Sequence, residues 1–334
     1  MRCTNLILLE GIPGSGKSTT AHQLTRQLQR HGIAASWFGE KDIAHPTSAP
    51  FHNVDQFVHD TQDRWNAFIS SISGTAQTVI LEGNIFQRFL RLLLQHNVDW
   101  QYIRMHIAAL TALAMHTNPV FIFFYQPDVR GSLENIAAYR GVQWTKGSIQ
   151  RFTNTPYALS HHLVGFDGLV AFWKAYQDCC NILFHASIMP RLWISLRAVD
   201  EGSHMPIIYS LLEIEPYPEN RLPAHELETF VGIYHDPVSL HNLRVRVQSG
   251  DLFVDNFIWN TVRLIHNGDG SFDIEGLNYT IAFLSDDMGN IRYAHIGGRD
   301  VDFLHIVGHT LYRTSRSVTE EMGDQTYDMY YDLL

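Results

Sequence analysis

The sequence predicts an α/β domain built on a parallel sheet, followed by a smaller antiparallel β domain. Three observations predict it. Residues 1–213 alternate short β-rich apolar runs with longer helical patterns, the signature of βαβ units. Residues 227–315 carry short alternating segments separated by turn signals. Between the two, 214–226 hold Pro216, Pro218 and Pro223, and proline withholds the N–H that a helix or ladder needs, so this stretch reads as a linker. At 334 residues the chain is long enough for two cores.

The first domain's expected strands are Leu6–Glu10, Ala34–Phe38, Thr78–Glu82, Val120–Tyr125 and Leu192–Leu196. Between them Ser18–His31 places Ala21, Leu24 and Leu28 on one helical face, with Gly32 as its stop. A second helix, Phe166–Ala186, carries Leu169, Phe172, Trp173, Tyr176 and Cys180 on one stripe. In the second domain Leu243-Arg244-Val245-Arg246-Val247 alternates, and Ser249-Gly250-Asp251 and Asn267-Gly268-Asp269-Gly270 mark hairpin turns. Residues 316–334 form an acidic tail with interleaved tyrosines.

Composition narrows the function. Apolar residues are 45% and charged residues 17% of the chain, a globular mix, and the formal net charge is −10. Such a balance repels phosphate backbones and anionic lipid, which argues against nucleic-acid and membrane partners. The longest apolar stretches fall far below the ~20 residues of a membrane span. Three cysteines, Cys3, Cys179 and Cys180, offer no disulfide framework, and a reducing cytoplasm fits them. Nineteen histidines invite a zinc reading, but no ligand spacing such as H-E-x-x-H or C-x-x-C occurs, so they are expected mainly at the surface.

The motif that carries chemistry is Gly11-Ile12-Pro13-Gly14-Ser15-Gly16-Lys17-Ser18-Thr19, which matches G-x-x-x-x-G-K-[ST] between an expected strand and an expected helix. Its glycines let successive backbone N–H groups turn inward to hold phosphate oxygens at a helix N-terminus. Lys17 is expected to bridge the β and γ phosphates of ATP, and Ser18 to ligate Mg²⁺. The fold class is then a P-loop NTPase three-layer fold. Glu82, at the end of the third strand, is expected to ligate Mg²⁺ through water or to accept a proton from a substrate hydroxyl; Glu40, ending the second strand, is its competitor.

Val120–Tyr125 runs into Gln126-Pro127-Asp128-Val129 and a helical stretch through Leu133 and Ile136 to Arg140. With the loop at Gly11–Thr19, this resembles the nucleoside and thymidylate kinase group over about the first 200 residues. The resemblance implies ATP- and Mg²⁺-dependent phosphotransfer, places the strand-3 acid on Glu82 and the strand-2 acid on Glu40, and makes Arg140 the first lid arginine. Lys146 and Arg151 extend that cationic cluster, Arg151 as a further nucleotide contact, with surface cations as the plain alternative. Glu82 is followed by Gly83 and Asn84, where thymidylate kinases carry Asp-Arg and nucleoside kinases Glu-Arg; Arg88 and Arg91 come later. A small-molecule phosphate acceptor that lacks its own phosphate therefore suits the chain better than a nucleoside monophosphate. Asn53–Phe68, Trp100 and Tyr102 are candidate pocket walls, or core.

Phe230–Tyr234 and the hairpins up to Arg313 resemble the lipocalin-like β domains behind serine-β-lactamase-type enzymes, without a catalytic motif. That domain is expected to pack on the first, to form a homo-oligomer, or to bind a partner. Two rivals to the kinase reading stand: a nucleotide-gated sensor or assembly protein, and a nucleic-acid end kinase using Arg88, Arg91, Arg244 and Arg246.

Overall fold

In the computed structural model, residues 4–196, 204–258, 261–301 and 304–314 are described. Cys3 and the 316–334 tail lie outside them. The chain divides into two compact units. One comprises Met1–Glu40, Ala44–Ala138 and Thr145–Tyr217; the other comprises Lys41–Ile43, Tyr139–Trp144 and Pro218–Leu334.

The first unit runs β1 (Leu6–Gly11), α1 (Lys17–Arg30), β2 (Ala34–Phe38), α2 (Val54–Ile72), β3 (Gln77–Glu82), a π-helix (Asn84–Leu90), α3 (Arg91–Gln95), α4 (Trp100–Ala114), β4 (Val120–Tyr125), α5 (Val129–Thr153), α6 (Pro156–Ser160), α7 (Gly165–Ala186), β5 (Arg191–Ser195) and α8 (Met205–Leu212). Its five strands lie in the order β2-β3-β1-β4-β5, and every pairing is parallel. Central strands buried on both faces must be apolar throughout, as Leu6–Leu9 and Val120–Phe124 are. Leu6 and Leu8 pack with α2, α4 and α7, while Ile7 and Leu9 pack with α1 and α8. The three-layer α/β architecture expected from the sequence is the one observed.

The π-helix is new relative to the sequence reading. Gly83, in the left-handed region (φ 66°, ψ 35°), turns the chain out of β3, and Ile85, Phe86, Phe89 and Leu90 are then all buried. Phe57, Trp65 and Phe68 join the same core, so these aromatics are packing residues. α5 is broken at Gly141 (φ 87°, ψ 176°).

In the second unit α9 (Ala224–Phe230) precedes β6 (Gly232–His235), β7 (Asn242–Gln248), β8 (Asp251–Asp255), β9 (Thr261–His266), β10 (Ser271–Ile274), β11 (Tyr279–Ser285), β12 (Ile291–Gly298) and β13 (Thr310–Thr314). These strands close into an antiparallel barrel, which leaves no sheet edge to template association. Tyr234, Phe272 and Phe283 fill it together with Leu243, Val245 and Ile281. Arg244 is exposed, whereas Arg246 donates to Asp255 at 2.8 Å and so is neutralised locally.

The expected linker is structured at both ends. The Gln27 carboxamide exchanges two hydrogen bonds with the Tyr217 backbone, at 2.9 and 2.8 Å, and α9 begins at Ala224. Prolines there limit where a helix starts but do not prevent ordering. Lys41–Ile43 and Tyr139–Trp144, read as part of the first domain, belong to the second unit: Asp42 bridges Val301, and the Tyr139 hydroxyl donates to the Thr261 carbonyl at 2.9 Å.

Candidate active site

The glycine loop occupies residues 11–16, between β1 and α1. Gly14 and Gly16 hold φ of +80° and +78°, a region that L side chains enter only at a cost. Ser15 donates its N–H to the Ile12 carbonyl at 3.3 Å, while its hydroxyl is buried with no hydrogen-bond partner. Gly16 is the N-cap of α1 and brings no side-chain cap, so the first amides of the helix are left to a ligand or to water. Ser18 is half-buried and Thr19 exposed in that first turn; Gly11 and Pro13 are buried.

Lys17 is buried at 4% exposure. Its ammonium donates to the Ile12 carbonyl at 2.9 Å and stands 3.7 Å from Glu82 Oε1. Glu82, the last residue of β3, also accepts the backbone N–H of Glu40 at 3.4 Å. The two acids are thus linked through the Glu40 backbone and not as a pair of strand ends: β2 stops at Phe38, so Glu40 is not a strand-end residue and its N–H reaches Glu82 from the turn beyond. Arg88 donates to the Glu40 carbonyl and to the Ser48 hydroxyl. That employment inside the unit explains Arg88 without a nucleic-acid ligand.

A polar cluster unexpected from the sequence lies beside these acids. Thr47 donates its hydroxyl hydrogen to Asn84 Oδ1 at 2.6 Å, and His45 Nδ1 accepts the Thr47 backbone N–H at 3.3 Å. His45 is 4% exposed, and His22 and His241 are buried as well; the other histidines are half-buried or exposed, in keeping with the expectation that many lie at the surface. Gln87 is buried, and its carboxamide oxygen has no hydrogen-bond partner.

Arg140 falls in the second unit, where its guanidinium stacks over the Trp144 ring at 5.3 Å. Lys146 and Arg151 belong to the first unit and are exposed, with Arg151 Nε donating to the Gly147 carbonyl at 3.3 Å. The sequence grouped the three by proximity in the chain; in the structure the helical geometry is broken at Gly141, between Arg140 and the other two.

Glu10 also escaped the sequence reading. It is fully buried at the end of β1, and burial pushes its carboxyl up to about 8 against the pull of hydrogen bonds from the Phe86, Gln87 and Ile85 amides and of the Lys17 charge. A single carboxylate closing the apolar run Leu6–Leu9 was the available signal, since a charge is expelled from such a run unless something holds it.

Among the described residues no three His, Cys, Asp or Glu side chains converge on a metal position, and no helix is long and apolar enough to cross a membrane. No family model matches the chain, and no curated protein does. Among solved structures it is similar to the thymidylate kinase of Ehrlichia chaffeensis, at 13% identity and a TM-score of 0.38, over 63% of this chain and 99% of that one. So distant a likeness adds no weight, and the α/β assignment stands on strand order and register.

Proposed function

We propose that the chain is an ATP- and Mg²⁺-dependent phosphotransferase acting on a hydroxyl of a small molecule. The observation that carries the reading is the buried Lys17, poised between an amide-lined glycine loop and the acid that ends β3. A buried ammonium facing a carboxylate at 3.7 Å, not at hydrogen-bond length, can transfer its charge to an arriving polyphosphate. The uncapped amides of α1 and the unpartnered Ser15 hydroxyl supply further donors to phosphate oxygens.

The residues present fit magnesium nucleotide. Ser18 would hold the metal together with phosphate oxygens, and Glu82 would hold it through water; the ion would offset charge on the transferring group. Glu82 is also the better placed general base, since Glu40 reaches the site from a turn. Arg151, in the same unit as the loop, is proposed to meet charge developing on the phosphoryl oxygens once substrate is bound. The walls of the acceptor site are assigned to the π-helix, through Asn84 and Gln87. Buried amides suit an uncharged polar acceptor such as a nucleoside or an antibiotic-like metabolite.

Single-turnover reactions with γ-labelled ATP against a panel of hydroxyl compounds test the proposal. Label on an acceptor supports it. Label released only to water, with assembly triggered by ATP, would favour a nucleotide-gated switch instead.

A further inference from the structure

Glu10 has no part in the chemistry just proposed, yet it lies one residue before the phosphate loop and is 0% exposed. Side chains alternate across a strand, so Glu10 leaves β1 on the face of Leu8, toward α7 and the π-helix, and not on the face of Leu9. There its Oε1 accepts the Phe86 N–H at 3.0 Å and its Oε2 accepts the Gln87 N–H at 3.3 Å. The first-turn amides of the π-helix, which a helix leaves without partners, are thus gathered by a carboxylate from another element. The charged and titratable groups acting on this site are Lys17 of α1, Tyr176 and Cys180 of α7, and, through Tyr176, Arg91 of α3.

Lys17 serves two acids. It stands 3.7 Å from Glu82 and lends its field to Glu10. A polyphosphate on the loop draws that ammonium to itself and adds negative charge of its own. Glu10, sealed from water, then loses part of what offsets the burial of its charged form, whereas Glu82 faces the incoming metal.

We propose that Glu10 is a positioning residue joining the phosphate loop to the acceptor wall: it holds the π-helix by its amides and takes up a proton when a polyphosphate engages Lys17. This rests on the nucleotide reading of the loop. The proton comes from solvent and ends on a carboxyl oxygen, which then offers an O–H where it had offered a lone pair. The longer contact, from the Gln87 N–H, is the one to be released. Gln87 is the residue whose carboxamide oxygen is buried without a partner, so its release frees an acceptor-reading group after nucleotide has bound. Nucleotide first and acceptor second is the binding order that results.

The test is titration calorimetry of the full chain with Mg·ATP, in buffers of different ionisation enthalpy, from pH 7 to 9. Uptake of several tenths of a proton near pH 8 is expected, with affinity weakening by up to about tenfold per pH unit above it, as reciprocal linkage requires. Glu10→Gln should still bind nucleotide and lose the uptake. Amide exchange of residues 84–90 should quicken on nucleotide binding in the wild type alone. Should that variant fail to fold, the wild-type proton count and exchange decide by themselves. Nucleotide binding with no proton exchanged across this range, or with equal uptake in the variant, overturns the role of Glu10. Absence of any nucleotide binding overturns the loop reading first.

Discussion

Replacing Lys17 with Met keeps the length of the side chain and removes its charge. At 3.7 Å and an effective dielectric of about 20, the attraction to Glu82 is roughly 4–5 kcal/mol before desolvation is counted. Deleting one partner of a buried pair costs roughly 3–5 kcal/mol, and the separation beyond hydrogen-bond length places Lys17→Met at the low end, about 3 kcal/mol. The loss depends on pH. Lys17 also holds down the proton affinity of Glu10, so the folded variant binds protons more tightly than the folded wild type. The stability gap therefore widens as pH rises and narrows toward pH 5, where Glu10 is neutral in both. Urea unfolding followed by tryptophan fluorescence is the assay, since Trp37, Trp65, Trp100, Trp173 and Trp193 all belong to the first unit. Calorimetry alongside it should show Mg·ATP uptake reduced at least tenfold. A loss below about 1 kcal/mol, equal at pH 5.5 and 8.5, with nucleotide binding intact, would refute the placement of Lys17 between the two acids.

Four further outcomes are expected. Burial raises Glu10 to about 8, so the folded chain holds more protons than the unfolded one from the ordinary carboxylate range up to that pH. Its contribution to stability then falls as pH rises through this window, by at most ~1.4 kcal/mol per unit; chemical denaturation should show Glu10→Gln with a flatter profile than wild type. Gly16→Ala meets no steric obstacle at its Cβ but must keep φ near +78°, costing about 1–2 kcal/mol by thermal melting. Thr47→Val deletes the 2.6 Å bond to Asn84 and should cost about 1 kcal/mol, with acceptor turnover falling more than nucleotide binding. In the barrel, buried Asp236 accepts from Val238 N–H at 2.9 Å, from the Ser239 hydroxyl, and from His309 Nδ1 at 2.6 Å. Burial raises its carboxyl, but these hydrogen bonds outweigh that and hold it below the usual value. Its contribution is thus present at neutral pH and is lost only as pH falls below the ordinary aspartate range. Asp236→Asn should cost about 2–3 kcal/mol at pH 7, read as loss of near-ultraviolet dichroism from the barrel aromatics.

The elements whose physics is local were readable. Leu6–Gly11 and Val120–Tyr125 announce buried parallel strands because four or more apolar residues in succession suit a strand covered on both faces. The glycine loop is readable because its shape is made by the backbone, with Gly14 and Gly16 in the left-handed region that a particular spacing of glycines permits. What failed to show is non-local. Asn84–Leu90 carries an apolar pattern that an ordinary helix would satisfy equally well, and its π geometry depends on Gly83 and on a carboxylate 76 residues earlier, since Phe86 bonds Glu10. Glu40 passed for a strand end because Trp37-Phe38-Gly39-Glu40 gives no sign of where pairing with β3 stops. The burial of His45 gave no sign in the sequence because only the fold brings Asn84 to Thr47 beside it.

By itself the sequence determined the five strands of the first unit, the hairpins of the second, and the glycine loop between β1 and α1, since each is encoded in periods and spacings a few residues long. Tertiary structure alone decided that eight strands close into a barrel, that 139–144 belong with it, and which acids share Lys17. The reason is physical: a charge's energy depends on its distance to other charges and to water, and neither distance exists until segments remote in the chain have packed together.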